Sequence, residues 1–319
     1  MAKIPSRKVL AETKHLSREE WLALRRKGIG GSDAGAVLGM NPWASPYTVW
    51  ADKLGKLPEK EDNESMRIGR DLEDYVAQRF CEATGKKVGR RNQIFLHPEH
   101  DWMLANIDRQ VVGENAGLEC KTAKAINLRR WKGQDFPEQY YAQCTHYMAV
   151  MGYDRMYLAV LIMGAEFKIY TLERDEEEIE ALISAEKDFW EQYVVTEQAP
   201  PLDGSEASSE ALKAIYDGGG TEEIMLFDRE EMLKEFFRLK EKKKALDTEI
   251  NAIENQLKED LGDNERGTCE GFRVDWKTQS RSSFDAKRFA TDHPDMDLSD
   301  YYKTSQYRVF KVKEIKEEE

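Results

Sequence analysis

Two stretches decide the fold: WMLANIDRQVV (102–112) and GLECKTA (117–123). Both read as β-strands, and the run from Gly113 to Gly117 supplies the turn between them. In the second strand, period-two alternation sends Glu119 and Lys121 to one face and Leu118, Cys120 and Thr122 to the other. Asp108 closes the run MLANID, so it can face Glu119 across the pair. Two carboxylates and an amine brought together this way can hold a divalent metal and a water beside a phosphate. The pattern D…ExK fits an ordinary hairpin with a solvated Glu and Lys equally well, so the flanking elements have to decide.

Upstream, Ser17 and Glu20 form a capping box that opens the helix REEWLALRRKG, stopped at Gly28. GIGGSDAGAVLGM (28–40) follows, with Ser32 or Asp33 as cap of a short helix that closes at Gly39. Another helix begins near Pro46. A longer one runs from about Met66 to Thr84, with Ile68, Leu72, Tyr75, Val76 and Phe80 at helical spacing, and stops at Gly85. NQIFL (92–96) precedes the two strands as a third. Downstream, Pro137 starts a helix ended by Gly152, and YLAVLIM (157–163) is a continuous apolar run suited to the centre of a sheet. FKIYTLE and an acidic helix from Asp175 to about Val194 complete an α/β domain over residues 1–198.

Residues 199–221 are rich in Pro, Gly and Ser and read as a linker. A long helix over 222–262 follows, with Asp228 and Glu231 as its capping box. Met232, Phe236, Leu239, Lys243, Leu246, Ile250, Ile253 and Leu257 alternate in steps of four and three, a coiled-coil seam containing one lysine. A helix of this length, roughly 50 Å, needs a partner for its apolar stripe. The remainder, 263–319, is a small α+β segment with two alternating strands, GFRVDWK and QYRVFKV, around a short helix begun by Asp285.

Composition narrows the function classes. The 319-residue chain carries a formal net charge of -13. Residues 1–60 hold eleven Lys/Arg against six Asp/Glu, whereas 136–200 hold four against thirteen. A basic N-terminal face can meet phosphate while acidic faces restrict the approach. Four scattered cysteines without a CxxC pair argue against a zinc site, a disulfide framework or an iron–sulfur cluster, and fit a reducing, cytosolic setting. The longest apolar run, Met156 to Met163, is too short to span a bilayer, and no signal-peptide pattern opens the chain.

Several polar residues fall where they could join the carboxylate pair. Gln139, Gln143 and Tyr147 are four apart and stack on one helix face; a boundary row bonded to loops has the same spacing. Glu73 lies on the preceding long helix, where a surface glutamate is equally compatible. GIGGSD is either a tight turn with a helix cap or an anion-receptive nest; without GK[ST] it is no nucleotide-binding P-loop.

WLALRRKGIGGSDAGAVLG, MRIGRDLEDYV, ANIDRQV…GLECKTA and EQYYAQCTHYMAVMG, in that order over about residues 15–195, resemble the YqaJ-type viral recombinase family. This is the phage branch of the PD-(D/E)xK nuclease fold that is similar to lambda-type exonucleases. The resemblance implies a restriction-endonuclease-like core, a central mixed sheet flanked by helices. Ile107 departs from the proline that names the motif. The resemblance further implies that Asp108, Glu119 and the carbonyl of Cys120 bind Mg²⁺ or Mn²⁺, with Glu73 taking part directly or through water. Lys121 would hold or deprotonate the attacking water, Gln143 would orient it or Lys121, and Tyr147 and Gln139 would support the site. Arg25 and Ser32 would hold a DNA 5′-phosphate. The expected protein is a phage or prophage deoxyribonuclease of the bacterial host cytoplasm. It would resect double-stranded DNA ends 5′ to 3′, act with a RecT-like single-strand annealing protein and form a homo-oligomer. Rival readings are a structure-selective endonuclease on the same fold and a DNA or replication-protein binding module acting through the C-terminal half.

Overall fold

The computed structural model describes residues 8–59, 62–220, 222–294, 296, 301, 303 and 308–313. Its contacts divide the chain into two units, Met1–Gly218 and Gly219–Glu319.

The first unit opens with strand β1 (Lys8–Glu12). Helix α1 (Arg18–Arg25) starts at the expected capping box, with the Glu20 amide donating to Ser17 Oγ at 3.2 Å and the Ser17 amide to Glu20 Oε2 at 2.8 Å. Strand β2 (Ile29–Gly30) runs straight into α2 (Gly31–Val37). The cap position there is Gly30 rather than Ser32 or Asp33; Asp33 instead reaches back, its Oδ2 accepting from the Gly30 amide at 2.9 Å. Helix α3 (Pro46–Lys53) has Pro at its first position, and α4 (Glu64–Thr84) runs from an Asn63 cap to Gly85 at φ 71°, a left-handed turn that favours glycine. Strands β3 (Val88–Gly89), β4 (Gln93–Leu96), β5 (Met103–Ala105), β6 (Arg109–Val111) and β7 (Ala116–Lys124) lead to α5 (Glu138–Met151). Strands β8 (Arg155–Met163) and β9 (Glu166–Glu173) precede α6 (Glu176–Phe189) and α7 (Glu206–Ile215).

The stretch 102–112, expected as one strand, is two. β5 belongs to a four-stranded sheet of order β1-β4-β5-β2, and β6 to a five-stranded sheet of order β3-β6-β7-β8-β9. Two hydrogen bonds from α5 hold the chain where it passes between them: Leu104 O accepts from His146 Nε2 at 2.8 Å, and Asn106 O accepts from Tyr147 Oη at 3.1 Å. Asp108 follows at the foot of β6, where Arg109 pairs with Leu118 in antiparallel register.

β7 and β8 are parallel, joined through α5, while β8 and β9 are antiparallel, so the sheet is mixed. Alternation along β8 sorts its two faces. Met156, Leu158, Val160 and Ile162 pack with the α5 residues Cys144, Tyr147, Met148 and Met151. Tyr157 and Ala159 pack with Val76, Ala77 and Phe80 of α4. Burial of side chains of this size stabilises by about 1.5–3 kcal/mol each. Leu118 and Cys120 lie on the α4 side, which leaves Glu119 and Lys121 facing α5, as alternation requires.

Helix α7 corrects the expected linker 199–221. Its Ala211 is buried in the main core, Leu212 and Ile215 pack against it, and Ser208 Oγ donates to Ser45 Oγ at 2.8 Å. Ser and Ala at helical spacing here serve close packing, not chain freedom.

In the second unit, helix α8 (Glu230–Leu261) is followed by the hairpin β10 (Arg266–Cys269) and β11 (Phe272–Asp275) and by α9 (Ala286–Asp292). The expected Asp228/Glu231 capping box is not formed. The cap position is Arg229, without a side-chain bond, because Asp228 turns to φ 56°. GFRVDWK pairs with Arg266–Cys269 and not with QYRVFKV. Of the latter, Gln306 and Tyr307 lie outside the described residues and 308–312 form no strand. Among the described residues no helix is long and apolar enough to cross a membrane.

Candidate active site

Asp108 and Glu119 meet where β6 and β7 begin to diverge. Asp108 Oδ2 accepts from the Cys120 amide at 2.8 Å. Glu119, 2 % exposed, receives Lys121 Nζ at 2.5 Å and Gln143 Nε2 at 2.7 Å, both on Oε1. Its Oε2 is buried with no hydrogen-bond partner among the described residues. Gln143 Nε2 also lies 3.1 Å from Tyr147 Oη. The ladder on α5 therefore contributes two of its three residues to this cluster. The third, Gln139, packs its Cβ against Gly35 of α2, and its Nε2 is buried without a partner among the described residues.

The electrostatics follow from burial and like charge. Burial pushes the Asp108 carboxyl well above the ordinary carboxylate range, and the Glu119 charge pushes it further; Lys121 offsets only part of this. Burial works against a charged Lys121, but Glu119 and Asp108 outweigh it and hold the amine above its usual range. Its ammonium also lies 5.0 Å over the Tyr140 ring. The Cys120 thiol is pushed up by burial and by the Asp108 and Glu119 charges, so its side chain is inert.

Glu73 stands at the flank. Its Oε1 accepts from Arg109 Nη1 at 2.5 Å, and Arg109 also bonds Asp74 at 2.5 Å and the Asp108 carbonyl at 2.6 Å. Glu73 is thus engaged in an ion pair, and among the described residues no three His, Cys, Asp or Glu side chains gather in a metal-holding group. The adjacency of Arg109 to Asp108 carried the signal for this clamp, because alternation places it toward the helix that bears Glu73.

Arg25 and Ser32 come together, with Nη2 donating to Ser32 Oγ at 2.8 Å. They line one cavity with Trp21, Gly30, Gly31, Asn106 and Tyr147. Tyr147 thus joins this cavity to the carboxylate pair through Gln143. Arg25 is braced by the Trp21 ring at 4.9 Å and by Asp33 at 3.2 Å, and Asp33 is also bonded by the buried Lys53 at 2.6 Å. Burial pushes the Asp33 carboxyl up, but Lys53 and Arg25 outweigh it and hold it at about 2. Trp21, Lys53 and Tyr140 escaped the sequence reading, and Asp33 was read only as a candidate helix cap, because nothing in their spacing ties them to the hairpin. Gly31 has a packing role besides: a Cβ there would lie 2.5 Å from the Tyr147 ring.

A mixed sheet between helices, with carboxylates on neighbouring strands and a lysine two residues beyond the second, is the organisation of the PD-(D/E)xK fold. The YqaJ-like viral recombinase domain matches residues 20–154. YqaJ of Bacillus subtilis (strain 168), described as uncharacterized, is 40% identical over 314 residues, covering 96% of this chain and 98% of that protein. The chain belongs to the YqaJ-like viral recombinase family. It is also similar to the crystal structure of an alkaline exonuclease (LHK-Exo) from Laribacter hongkongensis, at 20% identity and a TM-score of 0.47 over 56% of this chain and 94% of that one. A phage related exonuclease from Haemophilus somnus 129PT is similar at 13% identity and a TM-score of 0.40, over 54% and 96% of the respective chains.

Proposed function

We propose that the protein is a metal-dependent deoxyribonuclease that hydrolyses phosphodiesters from a double-stranded DNA end, 5′ to 3′, leaving 3′ single-stranded overhangs. The observation that carries this reading is the Asp108–Glu119 pair: a buried Glu119 beside a half-buried Asp108, one oxygen of Glu119 without a partner among the described residues, and an amine and an amide both committed to the other. Hard oxygen donors left under-compensated in this way suit a divalent cation such as Mg²⁺ or Mn²⁺. Asp108, Glu119 and the carbonyl of Cys120 would hold it, with Glu73 reached through water because Arg109 already occupies it. When bound, the ion would supply polarisation of a phosphoryl oxygen and a more acidic water.

The chain's own groups do the rest. The Glu119 and Asp108 charges favour the ammonium form of Lys121, which can donate to the water or to a phosphoryl oxygen and offset negative charge that develops there. Gln143 fixes the rotamer of Glu119 through Oε1 and is itself fixed by Tyr147. Arg25 and Ser32, in the adjoining cavity, suit a terminal phosphate through the guanidinium fork and a hydroxyl donor. A resected end would be the substrate of a RecT-like annealing protein, which we propose as the partner.

The test uses linear duplexes labelled at either end, with and without a 5′-phosphate, in Mg²⁺ or in a chelator. Metal-dependent shortening from the phosphorylated 5′ end, lost in Glu119→Gln, is expected. Cleavage that ignores the terminal phosphate, or occurs at internal branches, would instead indicate an endonuclease. Unchanged biological activity in Asp108→Ala would indicate a binding module.

A further inference from the structure

His146 lies one residue before Tyr147 on α5, and its ring has acceptors on both sides. Nδ1 lies 2.8 Å and 3.1 Å from the two carboxylate oxygens of Glu186 on α6, and Nε2 lies 2.8 Å from the Leu104 carbonyl of β5. Both side chains are fully buried, so bulk solvent reaches neither. A carbonyl oxygen only accepts, so Nε2 must carry a proton. An ionised carboxylate only accepts, so Nδ1 must carry one as well. An imidazolium beside a carboxylate satisfies this geometry, and a neutral ring beside an ionised Glu186 does not.

The ring holds the passage into the site. Leu104 and Asn106 both line the cavity of Arg25 and Ser32, and their carbonyls are met in turn by His146 and Tyr147. Asp108 follows two residues on. We propose that His146 is a positioning residue: its second ring proton, kept by Glu186, holds residues 104–108 in place, and loss of that proton on the alkaline side releases them. With one proton gone, the other goes to Nδ1, because the charged carboxylate binds it more strongly than a carbonyl does. Nε2 then turns a lone pair on Leu104 O, and two acceptors face each other inside the core.

The surrounding charges agree with this assignment. Burial opposes the imidazolium, but Glu186 and the Leu104 carbonyl outweigh it, with a smaller contribution from Asp33 of α2, and they hold the ring above its ordinary 6.5. Burial pushes the Glu186 carboxyl up; His146 and Lys53 of α3 offset part of this, and Asp33 adds to it. His97, just after β4, is held down at about 4, chiefly by burial, so it supplies no second cation. Tyr147 stays a neutral phenol because burial pushes it up. Arg174 bonds the Met148 carbonyl of α5 and is itself paired with Glu176.

The test uses the full chain with ring-¹⁵N histidine, and His146→Gln assigns the His146 signals among those of its five histidines. At about pH 7.5, above the ordinary histidine value, both His146 nitrogens are expected to be protonated. Titration to about pH 10 is expected to remove one proton and to shift the backbone amides of residues 104–108 at the same pH. Single-turnover cleavage of a phosphorylated duplex should fall there by about tenfold, the effect of one buried hydrogen bond lost. Glu186→Gln is the control. Its amide donates to Nδ1, the neutral ring keeps Nε2–H on Leu104 O, and the pair has no proton to lose in this range, so its cleavage should lack that step. A neutral ring at about pH 7.5, or one that keeps both protons to about pH 10, would overturn the proposal. So would a constant ratio of native to Glu186→Gln cleavage while the native ring loses its proton. The cleavage arm rests on the nuclease reading; a native chain that cuts no DNA would sink that reading and leave the nitrogen and amide signals to decide this one.

Discussion

Glu119 has its two oxygens in different circumstances, and the chemistry argued above turns on that difference. Oε1 is saturated by Lys121 and Gln143, while Oε2 is buried and bare among the described residues. Glu119→Gln keeps the shape but removes the charge. Removing Lys121 strips the ammonium that pairs with Glu119. Each change is expected to lower single-turnover cleavage by about 10²–10³-fold or more, the range for loss of one preorganised electrostatic group. Duplex binding, measured separately, should persist; a variant that retains wild-type cleavage would remove these residues from the chemistry. Asp33 offers a pH test. Its folded pKa of about 2 lies below the ordinary 3.8, so its contribution is complete above pH 3.8 and is lost as pH falls from there toward 2. The shift corresponds to about 2 kcal/mol. Denaturant unfolding between pH 5 and 2 should show this loss in the native chain and not in Asp33→Asn. Parallel curves would mean that another group carries the acid sensitivity. The hairpin carboxylates and Lys121 were legible in the sequence because period-two alternation is rigid. Asp33 and Lys53 were not, because their value comes from long-range charge contacts that spacing cannot reveal.

At the scale of elements, α5 organises the site, and α2 can lie against it only where side chains are missing. Gly31 faces the Tyr147 ring and Gly35 faces Gln139, with 2.5 Å and 2.8 Å available to a Cβ. The glycines of GIGGSDAG read in sequence as a turn or a nest; their packing role needed the partner helix to be seen. Gly31→Ala is expected to destabilise the first unit by about 1–3 kcal/mol, the cost of overpacking, and to displace Tyr147. Tyr147→Phe should be gentler. It removes the hydroxyl that meets Gln143 and donates to the Asn106 carbonyl, a loss on the order of 1 kcal/mol, or roughly a fivefold to tenfold drop in cleavage. Equal cleavage by Tyr147→Phe and the native chain would uncouple the Arg25 cavity from the carboxylates. The break between β5 and β6 was invisible for a related reason. MLANIDRQVV alternates well enough for one strand, and only the α5 bonds to the carbonyls of residues 104 and 106 show where it must part.

For the whole molecule, the division at Gly218 differs from the boundary that composition suggested near residue 198. Pro, Gly and Ser mark a linker only when nothing binds them, and α7 is bound. Its Ala211, Leu212 and Ile215 meet the core, and Ser208 reaches Ser45 from 163 residues away in sequence. Truncation after residue 198 would therefore uncover apolar surface on α3 and delete a buried hydroxyl pair. Taking the partly buried Leu212 and Ile215 near the lower end of the usual burial gain, the loss is about 2–4 kcal/mol. In a unit of this size that lowers the melting temperature by roughly 5–15 °C. Truncation after Gly218 keeps all of these contacts. The two truncations, melted side by side by calorimetry, should differ by that interval, with the longer one giving a single sharp transition and retaining metal-dependent cleavage. Coincident melting curves would mean that α7 adds nothing to the first unit and that the compositional boundary was right. A broad, early transition in the longer truncation would mean that the first unit requires residues beyond Gly218.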